Sequence, residues 1–161
     1  MRKIKEIDKD GLILSDLQGE AFELTSILTD CSTEVFIRRY MHSEIATWLD
    51  NKAILAYPYW GKDLIDRVNE EYGISTYGTN KYSRDELYWI GYFYRYFCYT
   101  YDISSEKAYR LIKPKELKQV FLPYHSLSLD QAIERLLEAK GLFLTEDEEL
   151  QRQLNILRKN I

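Results

Sequence analysis

The run Leu87-Tyr88-Trp89-Ile90-Gly91-Tyr92-Phe93-Tyr94-Arg95-Tyr96-Phe97-Cys98-Tyr99-Thr100-Tyr101 constrains this chain more than any other stretch. Seven of the 14 tyrosines fall between residues 82 and 101. A capping box opens the segment: Ser83 can accept the amide three residues on, while Glu86 returns to the serine amide. On a helical wheel Leu87, Ile90, Tyr94, Phe97 and Tyr101 form one stripe, and Tyr88, Tyr92, Tyr96 and Tyr99 form another. A helix that is apolar nearly all round has to be covered on most of its sides. A membrane span is excluded because about 15 residues fall short of the roughly 20 a bilayer requires, and Arg95 sits in the middle. Gly91 costs about 1 kcal/mol against Ala in a helix interior, which points to a neighbour passing close by.

Two readings of this helix stay open. In one it is the central core helix of a bundle, with tyrosine hydroxyls reaching polar partners at the rim. In the other, Tyr92, Arg95, Tyr96 and Tyr99 form an exposed recognition surface, because Tyr, Trp and Arg dominate protein–protein hot spots. Arg95 divides them: buried, it needs a carboxylate; exposed, it is a contact residue. An exposed stripe of this kind also predicts a homodimer. The adjacent pair Arg38-Arg39 is a second candidate contact, able to dock an acidic partner.

Around this segment the 161 residues read as one α+β domain, mostly α. Ile4, Ile7, Leu12 and Leu14, with turn chemistry at Asp8-Lys9-Asp10-Gly11 and Asp16-Leu17-Gln18-Gly19, predict an antiparallel β ribbon over residues 2–24. About seven helices follow from residue 25. Ser32, Ser104 and Ser128 are the expected N-caps, Pro114 an N1 residue and Gly73 a C′ residue. Residues 32–50 fit one helix or two, 53–57 a short strand or a helix end, and 74–81 a mobile connection. Leu122-Pro123-Tyr124-His125 should break the helical pattern. The last helix should start at Thr145, with Glu146 to Glu149 in its first turn, Arg158 and Lys159 in its last, and a stripe of Leu150, Leu154, Leu157 and Ile161.

Chemistry-bearing motifs are scarce. With 22 basic against 26 acidic side chains, the net charge of −4 argues against coating nucleic acid, which requires clustered Lys and Arg. Cys31 and Cys98 are too far apart for a metal-ligand pair motif, and His42 and His125 match no metal-binding spacing, so neither a metal nor a cofactor is expected. Cys98 reads as core filler, Cys31 as a thiol at a helix start, and both histidines as helix-end or loop residues. There is no phosphate-binding glycine loop and no nucleophile elbow. The N-terminus carries no signal-like apolar run, so a reduced, cytoplasmic protein is expected.

Three blocks, FIRRYMHSEIA (36–46), YSRDELYWIGYFYRYFCYTYDISSEKAYRLI (82–112) and LPYHSLSLDQAIERLL (122–137), resemble a family of small bacterial proteins encoded beside a predicted ADP-ribosyltransferase-like toxin. The resemblance spans roughly residues 30–137 and implies an antitoxin-like, non-enzymatic role in binding that partner. The residues themselves also leave open a small-ligand binder or enzyme, with Arg95, Tyr124 and His125 holding an anion in a tyrosine-lined pocket. Single-stranded nucleic acid or an operator is a third, weaker reading.

Overall fold

A computed structural model describes residues 1–142 and 146–160 of the chain. Among the described residues every regular element is helical, in the order α1 (Lys9–Leu28), α2 (Thr33–Met41), α3 (Glu44–Asp50), a 3-10 turn (Ala53–Ala56), α4 (Gly61–Tyr72), α5 (Arg84–Tyr101), α6 (Ser105–Leu111), α7 (Pro114–Tyr124), α8 (Leu129–Ala139) and α9 (Glu146–Lys159). None is long and apolar enough to cross a membrane.

The expected β ribbon over residues 2–24 is absent; a 20-residue helix takes its place. What looked like turn chemistry is a helix start: Asp8 is the N-cap, and its carboxylate accepts from the Gly11 amide at 3.0 Å. Gly11 and Gly19 are contact glycines. A Cβ on Gly11 would stand 2.7 Å from the Tyr99 ring, and one on Gly19 would stand 2.9 Å from the Tyr88 ring. The buried residues Leu14, Ser15, Gln18, Ala21, Phe22 and Thr25 recur at helical spacing, whereas Leu12 and Ile13, next to Leu14, point outward. Tertiary packing against α5 thus overrides glycine's poor helix propensity.

α5 lies at the centre and packs on α1, α6, α7 and α8. The expected capping box forms, with Ser83 accepting from the Glu86 amide and Glu86 accepting from the Ser83 amide. Where α5 crosses α1, a Cβ on Gly91 would lie 2.7 Å from the Gln18 carbonyl and 3.0 Å from the Gly19 Cα, so two glycines set how closely the helices approach. Phe22, Phe36 and Tyr40 extend the core outward from this crossing through edge-on and stacked rings.

The remaining boundaries follow their capping residues. Ser32, Ser43, Ser104 and Ser128 each accept an amide from the first turn of α2, α3, α6 and α8. Residues 32–50 are therefore two helices, with His42 as the C-cap of the first. From residue 25 on, the described residues form eight α-helices where about seven were expected. Residues 53–57 are neither strand nor helix end: Lys52 takes a left-handed conformation (φ 64°) and sends the chain into the 3-10 turn. α7 runs through Pro123 and ends at Tyr124, with His125 as its C-cap, inside the expected break at residues 122–125. Residues 74–81, expected to be mobile, are tied to α1 and α2: Ser32 and Thr33 amides donate to the carbonyls of Tyr77 and Asn80. The Lys81 ammonium donates to the carbonyls of Thr25, Ser26 and Thr29 and so caps the C-terminus of α1. The expected start at Thr145 and the stripe residue Ile161 lie outside the described residues.

Candidate protein-docking face

The aromatic helix does not present the expected surface. Arg95 is 1% exposed, Tyr96 and Tyr99 are 7% exposed, and only Tyr92 is half-buried. Arg95 ties four elements together. Its Nε donates to Gln18 Oε1 of α1 at 3.0 Å, Nη1 to Asp50 Oδ1 of α3 at 2.5 Å and Nη2 to the Ser105 hydroxyl of α6 at 2.7 Å. Gln18 also accepts from the Tyr40 hydroxyl, and its amide donates to the Gly91 carbonyl. Asp50 further accepts from the Ser105 amide and hydroxyl. Burial alone would lower the Arg95 pKa, but the polar and acidic groups around it, Cys98, Tyr40 and Asp50, hold it above its usual value. Burial likewise raises the Tyr40 phenol and pushes the Cys98 thiol up to about 12, so neither ionises near neutrality.

The tyrosine hydroxyls end at rim partners. Tyr96 donates to Asp130 at 3.1 Å and Tyr99 to Asp8 at 2.6 Å; Tyr88 donates to Asp16. Arg95 is directed at Gln18, Asp50 and Ser105, while His125 stacks on Phe121 and its Nδ1 meets the Phe121 carbonyl. The anion pocket built from Arg95, Tyr124 and His125 therefore does not assemble. Among the described residues no group of His, Cys, Asp or Glu is arranged to hold a metal.

Arg38 and Arg39 do reach the surface. They line an open hollow of about 340 Å3 with His42 and Tyr72. Arg39 donates to the Gly73 carbonyl at 2.8 Å and lies over the Tyr72 ring, while Arg38 is exposed.

The most exposed aromatic cluster lies elsewhere, where α3, α4 and the Tyr57-Pro58-Tyr59-Trp60 connection meet α1. Buried Ile54 anchors the 3-10 turn, and Pro58 favours the extended backbone that Tyr57 adopts (φ −133°, ψ 151°). Trp60 is the N-cap residue of α4, its amide held by the Asp63 carboxylate at 2.7 Å. A Cβ on the next residue, Gly61, would stand 2.8 Å from the Ala21 amide nitrogen, so the start of α4 is pressed onto α1. Trp60 is left 69% exposed and Tyr57 61% exposed.

Arg67 of α4 organises the neighbouring rings. Its guanidinium lies 5.6 Å from the Trp48 ring centre and 5.8 Å from that of Tyr59, and it donates to the Tyr59 hydroxyl at 2.9 Å. Trp48 and Tyr57 meet Tyr59 edge-on. A hollow flanks each side of this band. One of about 240 Å3 is lined by Glu44, Ile45, Trp48, Arg67, Glu70 and Glu71. The other, about 380 Å3, runs between Ile13, Asp16, Leu17 and Glu20 of α1 and Leu55, Tyr57, Tyr59 and Trp60. Five carboxylates line the two hollows against one guanidinium, which is already stacked. No periodicity in the sequence marks this face. Its signal was three aromatic residues around a proline, Tyr57-Pro58-Tyr59-Trp60, directly before a helix. Comparisons with protein-family models, curated proteins and solved structures gave no significant match.

Proposed function

We propose that this chain is a non-enzymatic protein-binding module, and that its docking face is the band formed by Trp48, Tyr57, Tyr59, Trp60 and Arg67. The observation that carries this reading is the exposure of Trp60 and Tyr57 beside a guanidinium fixed on two rings. Rigid aromatic and Arg side chains of this kind supply most of the binding energy at protein interfaces. The acidic lining selects the partner: a segment with an aliphatic or aromatic anchor for the groove against α1, flanked by Lys or Arg facing Asp16 and Glu20. The hollow of Arg38 and Arg39 offers a second contact for a carboxylate of the same partner. Neutralisation of an ADP-ribosyltransferase-like toxin encoded nearby, implied by the sequence resemblance, is the specific form of this proposal.

Co-expression with the neighbouring gene product, followed by size-exclusion chromatography and calorimetry, tests it. A complex is expected. Tyr57→Ala with Trp60→Ala should weaken it by about 30-fold or more, the effect of losing a hot spot. Asp16→Lys with Glu20→Lys should weaken it and reduce its salt sensitivity. A complex indifferent to all four changes would remove the proposed face, and no complex at all would remove the toxin-directed form.

A further inference from the structure

α9 carries an apolar stripe that the described chain covers only in part. Leu150 is 55% exposed and Leu157 61% exposed, with Leu154 half-buried between them. Their spacing of four and then three residues is that of a two-helix seam. α9 makes no substantial packing contact with another described helix. The ends of α9 carry opposite charges, Asp147 near its start and Arg158 near its finish, both exposed.

The angular position of those charges identifies the occupant. Asp147 and Arg158 are eleven residues apart, which at about 100° per residue places them within roughly 20° of each other, on the same flank of the stripe. When two copies of one helix pair antiparallel about a two-fold axis, the same flank of each faces the other. Setting Leu154 against its own copy then puts Leu150 opposite Leu157 of the partner subunit. Asp147 falls alongside the C-terminal turn of the partner copy, within reach of its long basic side chain. A parallel pair would instead place the acidic turns together. We infer that α9 is a self-association element, pairing antiparallel with α9 of a second copy through Leu150, Leu154 and Leu157, with the Asp147–Arg158 contact setting its direction.

The helix of 14 residues is about 21 Å long, so the seam is smaller than a standard-size interface, and a weak dimer with Kd on the order of 100 μM is expected. Sedimentation velocity on the full chain, from about 5 to 500 μM, should show a monomer–dimer equilibrium. Leu154→Glu should abolish the dimer. Asp147→Arg or Arg158→Asp alone should weaken association several-fold, and the two together should restore it, because the pair is then reversed in every contact. Circular dichroism verifies that each variant folds. A chain monomeric over the whole range overturns the inference. So does a dimer indifferent to Leu154→Glu, or single charge reversals whose combination gives no rescue.

Discussion

Replacing Arg95 by Ala would remove three hydrogen bonds at once and leave Asp50, 17% exposed, facing a void where its cation had been. Removing one partner of a buried ion pair costs about 3–5 kcal/mol, and truncating a fully buried side chain adds a cavity. Partial access of water to Asp50, together with its bonds from Ser105, sets the figure at the lower end, about 3 kcal/mol. In a domain of this size 1 kcal/mol lowers the Tm by about 2–4 °C, so a fall of roughly 6–12 °C is expected in thermal and urea melts. Arg95→Met keeps most of the stem and loses only the polar contacts, so it separates packing from pairing. Asp50→Ala should cost comparably, and the double variant should cost less than the sum by at least about 1 kcal/mol, since the second change relieves an orphaned charge. If Arg95→Ala lost less than about 1 kcal/mol, or if the cycle were additive, the network would not be what fastens α1, α3 and α6 to α5.

Gly91→Ala should destabilise by about 1–3 kcal/mol despite its better helix propensity, because the new methyl meets α1 backbone; urea titration reads this directly. Gly73→Ala has open space, but φ +81° with ψ 161° is a conformation essentially reserved for glycine, so it should cost about 1–3 kcal/mol through backbone strain alone. With its thiol pushed up to about 12, Cys98 is almost wholly protonated at pH 8, and iodoacetamide should label it at least about 100-fold more slowly in the fold than in urea. Trp60→Ala should change stability by less than about 0.5 kcal/mol, whereas Phe22→Ala, at a site 0% exposed, should cost about 3–5 kcal/mol; a large loss at Trp60 would mean its ring serves the core.

Where the local signal and the packing agreed, the sequence was readable. Ser83 with Glu86, Ser32, Ser128, Pro114 and Gly73 all stand at the helix ends where their chemistry places them, because a cap satisfies its own backbone within four residues. The N-terminal failure came from glycines. Gly11 and Gly19 carry the same local preference in a turn as in a close helix crossing, and only the presence of α5 decides between them. The same α5 hides its own tyrosines. Tyr88, Tyr96 and Tyr99 are amphipathic, so their pattern fits an exposed stripe as well as a buried ring with a bonded hydroxyl; the acceptors Asp16, Asp130 and Asp8 lie far off in sequence. Trp60 was missed for the converse reason: three aromatics around a proline beside a helix start have no periodicity to mark them as outward-facing.

The buried arginine and the exposed tryptophan are linked through the path of the chain. Asp50, which neutralises Arg95, is the last residue of α3, and two residues later Lys52 turns the backbone left-handed into the segment that ends at Trp60. Anchors bracket that segment: Ile54 in the core, and Gly61 pressed on α1 at its end. Between those anchors Tyr57 and Trp60 stand outward beside the groove against α1, where Ile13, Leu17 and Glu20 line the facing side. An aromatic face held out by its own backbone loses little entropy when a partner covers it, which is the property a docking surface needs. Loosening the Asp50 anchor should therefore weaken partner binding more than its distance from Trp60 suggests, even under conditions where the fold persists.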